Sequence, residues 1–268
     1  MDISCENKAK ILQTCYFTRS IEGEQFIHEH VFGFQVAGTM TINDGSKTYT
    51  STEGDFRLCR RNRLAKFEKT PPENGEFKII SIYLDQETLQ RLSKELNITS
   101  VKASEISDAL VTLDPHPLYK SFIDSLWVYL QLPEAEQQSL MDTKIKEAVQ
   151  LMLKLNPELK DILFDFSDPG KIDIEAFMLK NFHFNVQLKR FAYLTGRSLS
   201  TFKRDFEKIF QTTPSRWLTW RRLQEAYYLI KEKGQKPSNV YIEVGFEDLS
   251  HFSYAFKKQF GVTPSKIE

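Results

Sequence analysis

The sequence predicts an α+β protein with a β-barrel and flanking helices in its N-terminal part and only helices in its C-terminal part. Short alternating runs of β-branched and aromatic residues, separated by Gly-containing turns, occupy residues 26–84, a pattern that favours strands. Apolar residues three and four positions apart recur over residues 115–156, and this spacing is typical of helices. An internal repeat with helical spacing follows in residues 199–265.

Segment 165–171 (DFSDPGK) combines Asp, Ser, Pro and Gly and therefore predicts a linker. We expect two domains on either side of it, 1–165 and 170–268. In the first domain, the barrel should cover about 20–90 and the helices about 115–156.

The charges of the chain are unevenly distributed, although 36 Lys and Arg balance 36 Asp and Glu. Residues 170–268 hold 17 basic and 10 acidic residues, and the rest of the chain holds 19 basic and 26 acidic ones. A basic C-terminal part suggests a surface that faces a polyanion. Hydrophobic residues make up 41% of the chain, which excludes a disordered protein.

The sequence also bears on the compartment. No apolar run approaches the ~18 residues of a membrane-spanning helix, and the N-terminus lacks the basic and apolar stretches of a signal peptide. Cys5, Cys15 and Cys59 are odd in number and lack metal-ligand spacing. We therefore expect reduced thiols in a cytoplasmic protein that enters no membrane. No residue pattern indicates a cofactor.

The strand runs of the N-terminal part alternate with turn signals. The run FGFQVAGTMTIN ends at NDGS (43–46), and KTYTSTEGDFRLCRR follows. Asp-Gly between two such runs is a strong hairpin signal. EGD (53–55) predicts a second turn and FKIISIYL (77–84) a further strand. Short, regularly spaced strands of this kind suggest a small barrel.

Two histidines, His28 and His30, lie one residue apart, and on a strand they would share a face. Such a pair could hold a metal ion. This pattern keeps open the alternative of a metal-binding protein or enzyme with an accessory helical domain. The other interpretation, which we favour, is a strand edge with polar histidines.

A basic cluster follows the second turn. It could bind an anionic effector inside the barrel or at its mouth. The interpretation that we favour is an exposed edge strand protected by charge. The cluster consists of Arg57, Arg60, Arg61, Arg63 and Lys66.

Two helices are predicted after the barrel, over 117–131 and 137–155, from apolar residues at three and four spacing. They could pack back on the barrel or be available to a second copy of the chain.

The internal repeat is the most specific signal in the chain. Residues 199–215 (LSTFKRDFEKIFQTTPS) and 249–265 (LSHFSYAFKKQFGVTPS) align without a gap at 9 of 17 identical positions. In each copy three Phe residues are spaced four apart, which draws one apolar stripe along a helix. The stripe positions repeat while the positions between them differ. This difference predicts two helices with the same packing role and different exposed surfaces.

Each copy has helix start and stop signals. Ser198 and Asp248 are the predicted N-caps, and a Thr-Pro-Ser sequence after each copy offers a Thr cap and a Pro that opens the next helix. Shorter helices should precede each turn, over about 186–194 and 237–244. Each half then reads as helix, Gly-containing turn, helix, which is the arrangement of a DNA-binding helix-turn-helix.

The two predicted helix-turn-helix units cover about 186–210 and 237–260, and a long helix near 215–232 joins them. At 1.5 Å per residue the long helix spans roughly 27 Å. Two recognition helices held in this way could enter successive major grooves, which lie about 34 Å apart. A helical-solenoid scaffold is the alternative, but solenoids usually need three or more repeats.

These residues resemble the C-terminal domain of AraC/XylS-type bacterial regulators over about 172–268. The stretch GFEDLSHFSYAFKKQFGVTPS (245–265) is similar to the signature of that family almost throughout. One departure is Tyr241, where the family usually has Ala, and this ring could tilt its helix or pack on a neighbour. Gly38 and Gly54-Asp55 loosely resemble the cupin-like sensing domain of the same family, in which helices after the barrel often form a dimer interface.

The resemblance implies which side chains contact DNA. Arg204 could fork onto a guanine edge, and Ser, Thr, His and Tyr side chains could bond to bases or phosphates. His251 could instead be a buried neutral histidine. The expected contacts are Ser200, Thr201, Lys203, Arg204, Leu249, Ser250, His251, Ser253, Tyr254 and Lys257.

The sequence therefore favours a one-component transcription regulator, an activator and not an enzyme, that binds double-stranded DNA at the nucleoid. RNA polymerase is an expected partner, and the chain could form a homodimer. A small-molecule effector or a regulatory protein could act on the N-terminal domain. The alternatives are the metal-binding protein or enzyme and an interaction scaffold without DNA binding.

Overall fold

The computed structural model describes residues 10–21, 25–100 and 108–267. The described residues form two compact units, one containing 10–21 and 27–167 and the other containing 25–26 and 168–267. Cys5 and the N-terminal stretch that bears on export lie outside the described residues. Cys15 is an exposed free thiol and Cys59 a buried one.

The strands of the described chain are concentrated before residue 114, and those of the two larger sheets pair antiparallel. The strands are β1 (Ile11–Tyr16), β2 (Phe26–Ile27), β3 (His30–Ala37), β4 (Thr39–Asn43), β5 (Thr48–Ser51), β6 (Phe56–Cys59), β7 (Arg63–Leu64), β8 (Lys66–Thr70), β9 (Phe77–Leu84) and β10 (Leu110–Leu113).

The main sheet has the strand order β1-β9-β3-β6-β10, and a second sheet has the order β5-β4-β8. In the main sheet Phe32 of β3 lies opposite Ile82 of β9 and Leu58 of β6. The predicted hairpin is confirmed, because β4 pairs with β5 across the Asp-Gly turn, where Gly45 has a φ of +84°. A β-rich N-terminal part is therefore confirmed, whereas closure into a barrel stays a prediction.

The first unit also contains helices that cover one face of the main sheet. They are α1 (Gln86–Leu96), α2 (Pro117–Tyr129), α3 (Glu134–Leu155) and α4 (Lys160–Leu163), with a 3-10 turn at Pro157–Leu159. The two predicted helices correspond to α2 and α3, whereas α1 and α4 were not expected from the sequence.

Buried side chains of α2 and α3 pack back on the sheet. Tyr119 of α2 stacks on Phe56 of β6 with ring centroids 5.1 Å apart, and Phe32 lies within 6.4 Å of Phe122. Ile145 of α3 belongs to the same buried cluster. Burial of such large apolar groups is the main stabilising contribution to a core of this kind. The inner faces of both helices are thus occupied within this unit.

Residues 168–267 of the second unit contain six α-helices. They are α5 (Ile174–Asn181), α6 (Leu188–Leu194), α7 (Leu199–Phe210), α8 (Pro214–Lys231), α9 (Pro237–Glu243) and α10 (Leu249–Phe260), with a 3-10 turn at Pro264–Lys266. The helices predicted from the repeat and its flanks are confirmed to within about two residues, and α5 is an addition. The described helices include none with both the length and the apolar character for a membrane crossing.

The repeated Phe stripes form two small cores against α8. Phe206 of α7 meets Trp217 of α8 edge-on at 5.7 Å between ring centroids. On the other side, Phe260 of α10 lies 4.8 Å from the ring of Tyr227. Phe202 and Phe252, the first Phe of each copy, are fully buried. One helix therefore supports both copies of the repeat.

The favoured interpretation of the basic cluster as an exposed edge strand is wrong. The strand that carries Arg57, β6, lies between β3 and β10 in the sheet interior, and Arg57 is only 2% exposed. Its Nη1 donates to Ser51 Oγ at 2.6 Å and its Nη2 to Gln35 Oε1 at 3.2 Å. These neutral acceptors bind the guanidinium, which offsets part of the cost of burying its charge. Arg60 is also buried, and its Nη1 donates to the Asp108 carbonyl at 3.1 Å.

The expected placement of His28 and His30 on one strand face is also wrong. Strand β3 begins at His30, whereas His28 precedes it and is exposed. His30 is buried, and its Nδ1 accepts from the Arg61 backbone N–H at 3.4 Å. Within residues 10–21, 25–100 and 108–267, no group of three or more His, Cys, Asp or Glu side chains is placed to hold a metal ion.

Candidate nucleic-acid interface

The N-termini of the two repeated helices are capped by side chains, as the sequence predicts. Ser198 Oγ accepts from the backbone N–H of Thr201 at 3.3 Å, and Asp248 Oδ1 accepts from that of His251 at 2.6 Å. Thr213 precedes Pro214 at the start of α8, but its side chain makes no capping hydrogen bond. That part of the Thr-Pro-Ser prediction is wrong, since the Pro alone begins the helix.

The Phe stripes of α7 and α10 face inward, so the residues between them lie on the outside. Thr201 and Ser253 are half-buried, and Tyr254 is 69% exposed. The remaining expected contacts are all exposed, namely Ser200, Lys203, Arg204, Leu249, Ser250, His251 and Lys257. The structure thus gathers the expected residues on the outer faces of two helices.

The outer face of α7 is basic. The side chain of Arg204 is 66% exposed, and its Nε lies 3.5 Å from Oδ1 of Asp205. Arg197 holds the other oxygen of the same carboxylate, with Nε 3.2 Å from Oδ2. The hydrogen bond from Arg197, together with the charges of Arg204 and Arg197, holds the pKa of Asp205 below its usual range. The Nε edge of the Arg204 guanidinium is therefore held by Asp205, while the side chain remains exposed to solvent.

The outer face of α10 is polar and aromatic. His251 is exposed, so its alternative placement as a buried histidine is wrong; its ring meets Phe246 edge-on at 5.6 Å. The unusual Tyr241 of α9 is half-buried and packs on Phe252, with ring centroids 6.4 Å apart. This ring packs against the core of the second helix-turn-helix unit.

Arg222 near the middle of α8 joins the segment that leads into the first helix-turn-helix unit to the turn of the second, and the sequence reasoning missed it. Its three guanidinium nitrogens donate to the carbonyl oxygens of Phe182, Phe184 and Gly245 at 2.7, 2.7 and 2.9 Å. Burial lowers the pKa of Arg222 to about 10. Its position in the stripe Leu218-Arg222-Ala226-Ile230, whose other members are buried, is the signal that could have revealed it.

The arrangement offers two exposed helix faces of different chemistry, each beginning at a capped N-terminus. Backbone N–H groups at such N-termini favour anions, and Arg, Lys, Ser, His and Tyr side chains can bond to base edges or phosphates. This combination suits a polyanion with a readable surface, which is duplex DNA.

Comparisons with known protein families agree with this arrangement. Residues 191–268 match a family described as a helix-turn-helix domain. Residues 30–162 match a family described as the ExsA N-terminal regulatory domain.

Individual relatives match across both units. The chain is 23% identical over 231 residues to the HTH-type transcriptional regulator ExsA of Pseudomonas aeruginosa, covering 85% of this chain and 82% of the relative. It is 30% identical over 240 residues to the virulence regulon transcriptional activator VirF of Yersinia enterocolitica, covering 85% of each chain. A solved structure of apo ToxT K231A from Vibrio cholerae is similar at 14% identity and a TM-score of 0.48, covering 97% of each chain. The two family matches and the relatives ExsA and VirF show that the chain belongs to the AraC/XylS-type family of DNA-binding transcription regulators.

Proposed function

We propose that this regulator activates transcription and reads an asymmetric DNA site with α7 and α10 in successive major grooves. The observation that carries the proposal is the contrast between the two helices. They share a buried Phe frame, yet Lys203 and Arg204 on α7 correspond to Ser253 and Tyr254 on α10, and all but the half-buried Ser253 are exposed. Two surfaces with different donors and acceptors favour two different half-sites rather than a palindrome.

The chemistry of α7 makes it the better candidate for the dominant base contacts. An Arg side chain can donate two hydrogen bonds to one guanine edge, and Lys can contact the same atoms as a point charge. On α10, the exposed His251 and Tyr254 can contribute hydrogen bonds and stacking area. Thr201, Ser200, Ser250 and Lys257 would supply phosphate or base contacts, and Leu249 an apolar contact with a thymine methyl group.

The length of α8 supports the two-groove arrangement. This helix has 18 residues and so spans roughly 27 Å at 1.5 Å per residue. Successive major grooves on one face of DNA lie about 34 Å apart. One chain would then cover about two helical turns of DNA.

Activation and its control form the second part of the proposal. One relative is named a transcriptional activator, which supports activation by this chain. Activation would involve a contact with RNA polymerase. This contact would be made on the chromosome, in the cytoplasm. The N-terminal match to a regulatory domain supports control through the domain 1–165, by a small molecule, a regulatory protein or homodimer formation. Domain 170–268 would then carry the DNA-reading role.

Selection from random duplex DNA with the purified full-length protein tests the reading mode. We expect an enriched sequence about two helical turns long with two different half-sites. Arg204→Ala should weaken the base preference in one half of the enriched sequence, and Tyr254→Ala should weaken it in the other half. The matched control is Lys231→Ala, an exposed basic residue at the end of α8, which should leave both halves intact. A palindromic sequence, or no enrichment, would contradict the proposal.

A further inference from the structure

Arg222 lies where three separate segments of the second unit meet. It projects from the middle of α8, and two of its acceptors, the carbonyls of Phe182 and Phe184, belong to the segment between α5 and α6. The third acceptor is the carbonyl of Gly245, in the turn between α9 and α10. One side chain thus bonds to the segment that leads into the first helix-turn-helix and to the turn of the second.

Other contacts close the same junction. Asn185 Nδ2 donates to Glu247 Oε1 at 2.6 Å, which joins the α5–α6 segment directly to the α9–α10 turn. A β-carbon at position 245 would lie 2.7 Å from the carbonyl oxygen of His183. The segment that leads into the first helix-turn-helix unit is therefore packed against the turn of the second, in addition to the connection through α8.

The geometry of Arg222 suits the fixing of an angle. Its planar guanidinium presents donors in a rigid fork, and these three acceptors are main-chain carbonyls, whose positions are set by the backbone. Adjacent α8 residues strengthen the junction, since the guanidinium of Arg221 lies 4.3 Å from the ring centroid of Phe182. A shift of the α5–α6 segment or of the α9–α10 turn relative to α8 would break at least one of these bonds.

We propose that Arg222 is a positioning residue that fixes the separation and relative rotation of the reading helices, and so sets which spacing between half-sites the protein accepts. The inference rests on the proposed two-groove reading of DNA. Arg222 acts through α7 and α10. A residue that merely stabilised the fold would weaken binding to every duplex alike.

The selectivity for the spacing between half-sites tests this role, because a change in stability alone would not alter that selectivity. The probes are the duplex selected by the wild-type protein, the same duplex with one or two base pairs inserted or removed between the half-sites, and duplexes with a single half-site. Dissociation constants are measured at one fixed salt concentration, because affinity for DNA depends steeply on salt. The variants are Arg222→Gln and Arg222→Lys, with Arg216→Gln as the matched control on the exposed side of α8.

The wild-type protein should bind altered spacings about tenfold or more weakly, as expected when one unit loses its base contacts. In Arg222→Gln the ratio of the dissociation constant for an altered spacing to that for the selected duplex should fall towards one. The selected duplex should bind more weakly, whereas single half-sites should bind within about twofold of wild type. Arg222→Lys should give an intermediate ratio because a point charge cannot reproduce the fork. Arg216→Gln should keep the wild-type ratio.

A wild-type spacing ratio in Arg222→Gln, or an equal loss on every duplex, would overturn the proposal. Circular dichroism at the assay temperature shows whether Arg222→Gln is folded; if it is not, Arg222→Lys decides, and then Asn185→Ala, which removes the bond to Glu247 across the same junction. If the wild-type protein selects no sequence, the proposed function fails. If it selects a sequence with a preferred spacing that none of these variants relaxes, only the role of Arg222 and its junction fails.

Discussion

The backbone of Gly245 passes so close to that of His183 that a β-carbon on residue 245 would lie 2.7 Å from the His183 carbonyl oxygen. Gly245 also has a φ of +99°, and residues other than glycine rarely adopt a positive φ. Glycine is thus required here for two separate reasons, the conformation of the turn and its close approach to another segment.

Gly245→Ala should lower the free energy of unfolding by more than about 2 kcal/mol, since it adds a clash with backbone to the cost of a positive φ. Chemical denaturation of the full chain measures the effect. Gly234→Ala is the matched control, because Gly234 has a φ of +63° but no atom within 4 Å of an added β-carbon. Its loss should be about 1–2 kcal/mol. Equal losses in the two variants would show that the close approach to His183 is unimportant.

Arg204→Ala should weaken binding to the selected duplex by about 1–3 kcal/mol, the range for a lost bidentate contact with a base. Binding to random duplex should change much less. Fluorescence anisotropy with both duplexes measures the difference. The control is Lys208→Ala, which removes one positive charge from the last turn of the same helix. Equal losses on both duplexes would assign Arg204 to a phosphate instead.

Asp248→Ala should destabilise α10 by about 1 kcal/mol, because it removes the acceptor for the backbone N–H of His251. Thermal unfolding measures the loss, and DNA affinity should fall with it, since the first turn of α10 carries Ser250 and His251. Asp248→Asn keeps an acceptor of the same length and should retain most of the stability. If Asp248→Asn were as unstable as Asp248→Ala, charge rather than capping would explain the effect.

His30 should make the stability of the protein depend on pH. Burial, and after it the positive charges of Arg61 and Arg60, lower the pKa of His30 from 6.5 to about 3. Between these values the unfolded chain binds a proton that the folded protein does not. The contribution of His30 to the free energy of unfolding is therefore fully present above pH 6.5 and is lost as the pH falls towards 3. The slope from this one group should approach about 1.4 kcal/mol per pH unit.

Urea denaturation between about pH 4 and about pH 7, which covers most of the range between the two pKa values, measures this slope. His30→Asn keeps an acceptor for the Arg61 N–H and cannot titrate, so its stability should depend less on pH than that of the wild type. His28→Asn changes the nearby exposed histidine and should retain the wild-type slope. An unchanged slope in His30→Asn would assign the acid sensitivity to other groups.

Local patterns in the sequence were sufficient for much of the fold. The spacing of Phe202, Phe206 and Phe210 and its repetition fifty residues later depend only on helix periodicity. The caps at Ser198 and Asp248 are bonds between residues three apart. The Asp-Gly hairpin is equally local. Such features can be predicted because their partners lie within a few residues of one another.

The environment of isolated polar residues could not be predicted in this way. Arg57 is expected at an exposed edge from its charge, yet β6 lies inside the sheet because β10, formed some fifty residues later, pairs with it. His30 is expected on the same face as His28, yet it begins a strand and is buried. In both cases the deciding neighbours come from distant parts of the chain.

The sequence by itself therefore determined the helices α7 and α10, their buried Phe frame and the different side chains on their outer faces. Only the tertiary structure decided how the two helix-turn-helix units are joined. The three bonds of Arg222 reach carbonyl groups 23 to 40 residues away along the chain. A main-chain carbonyl has the same chemistry in every residue, so no sequence pattern marks it as an acceptor. Its availability to Arg222 arises only when the backbone of α8 and the two turns pack together.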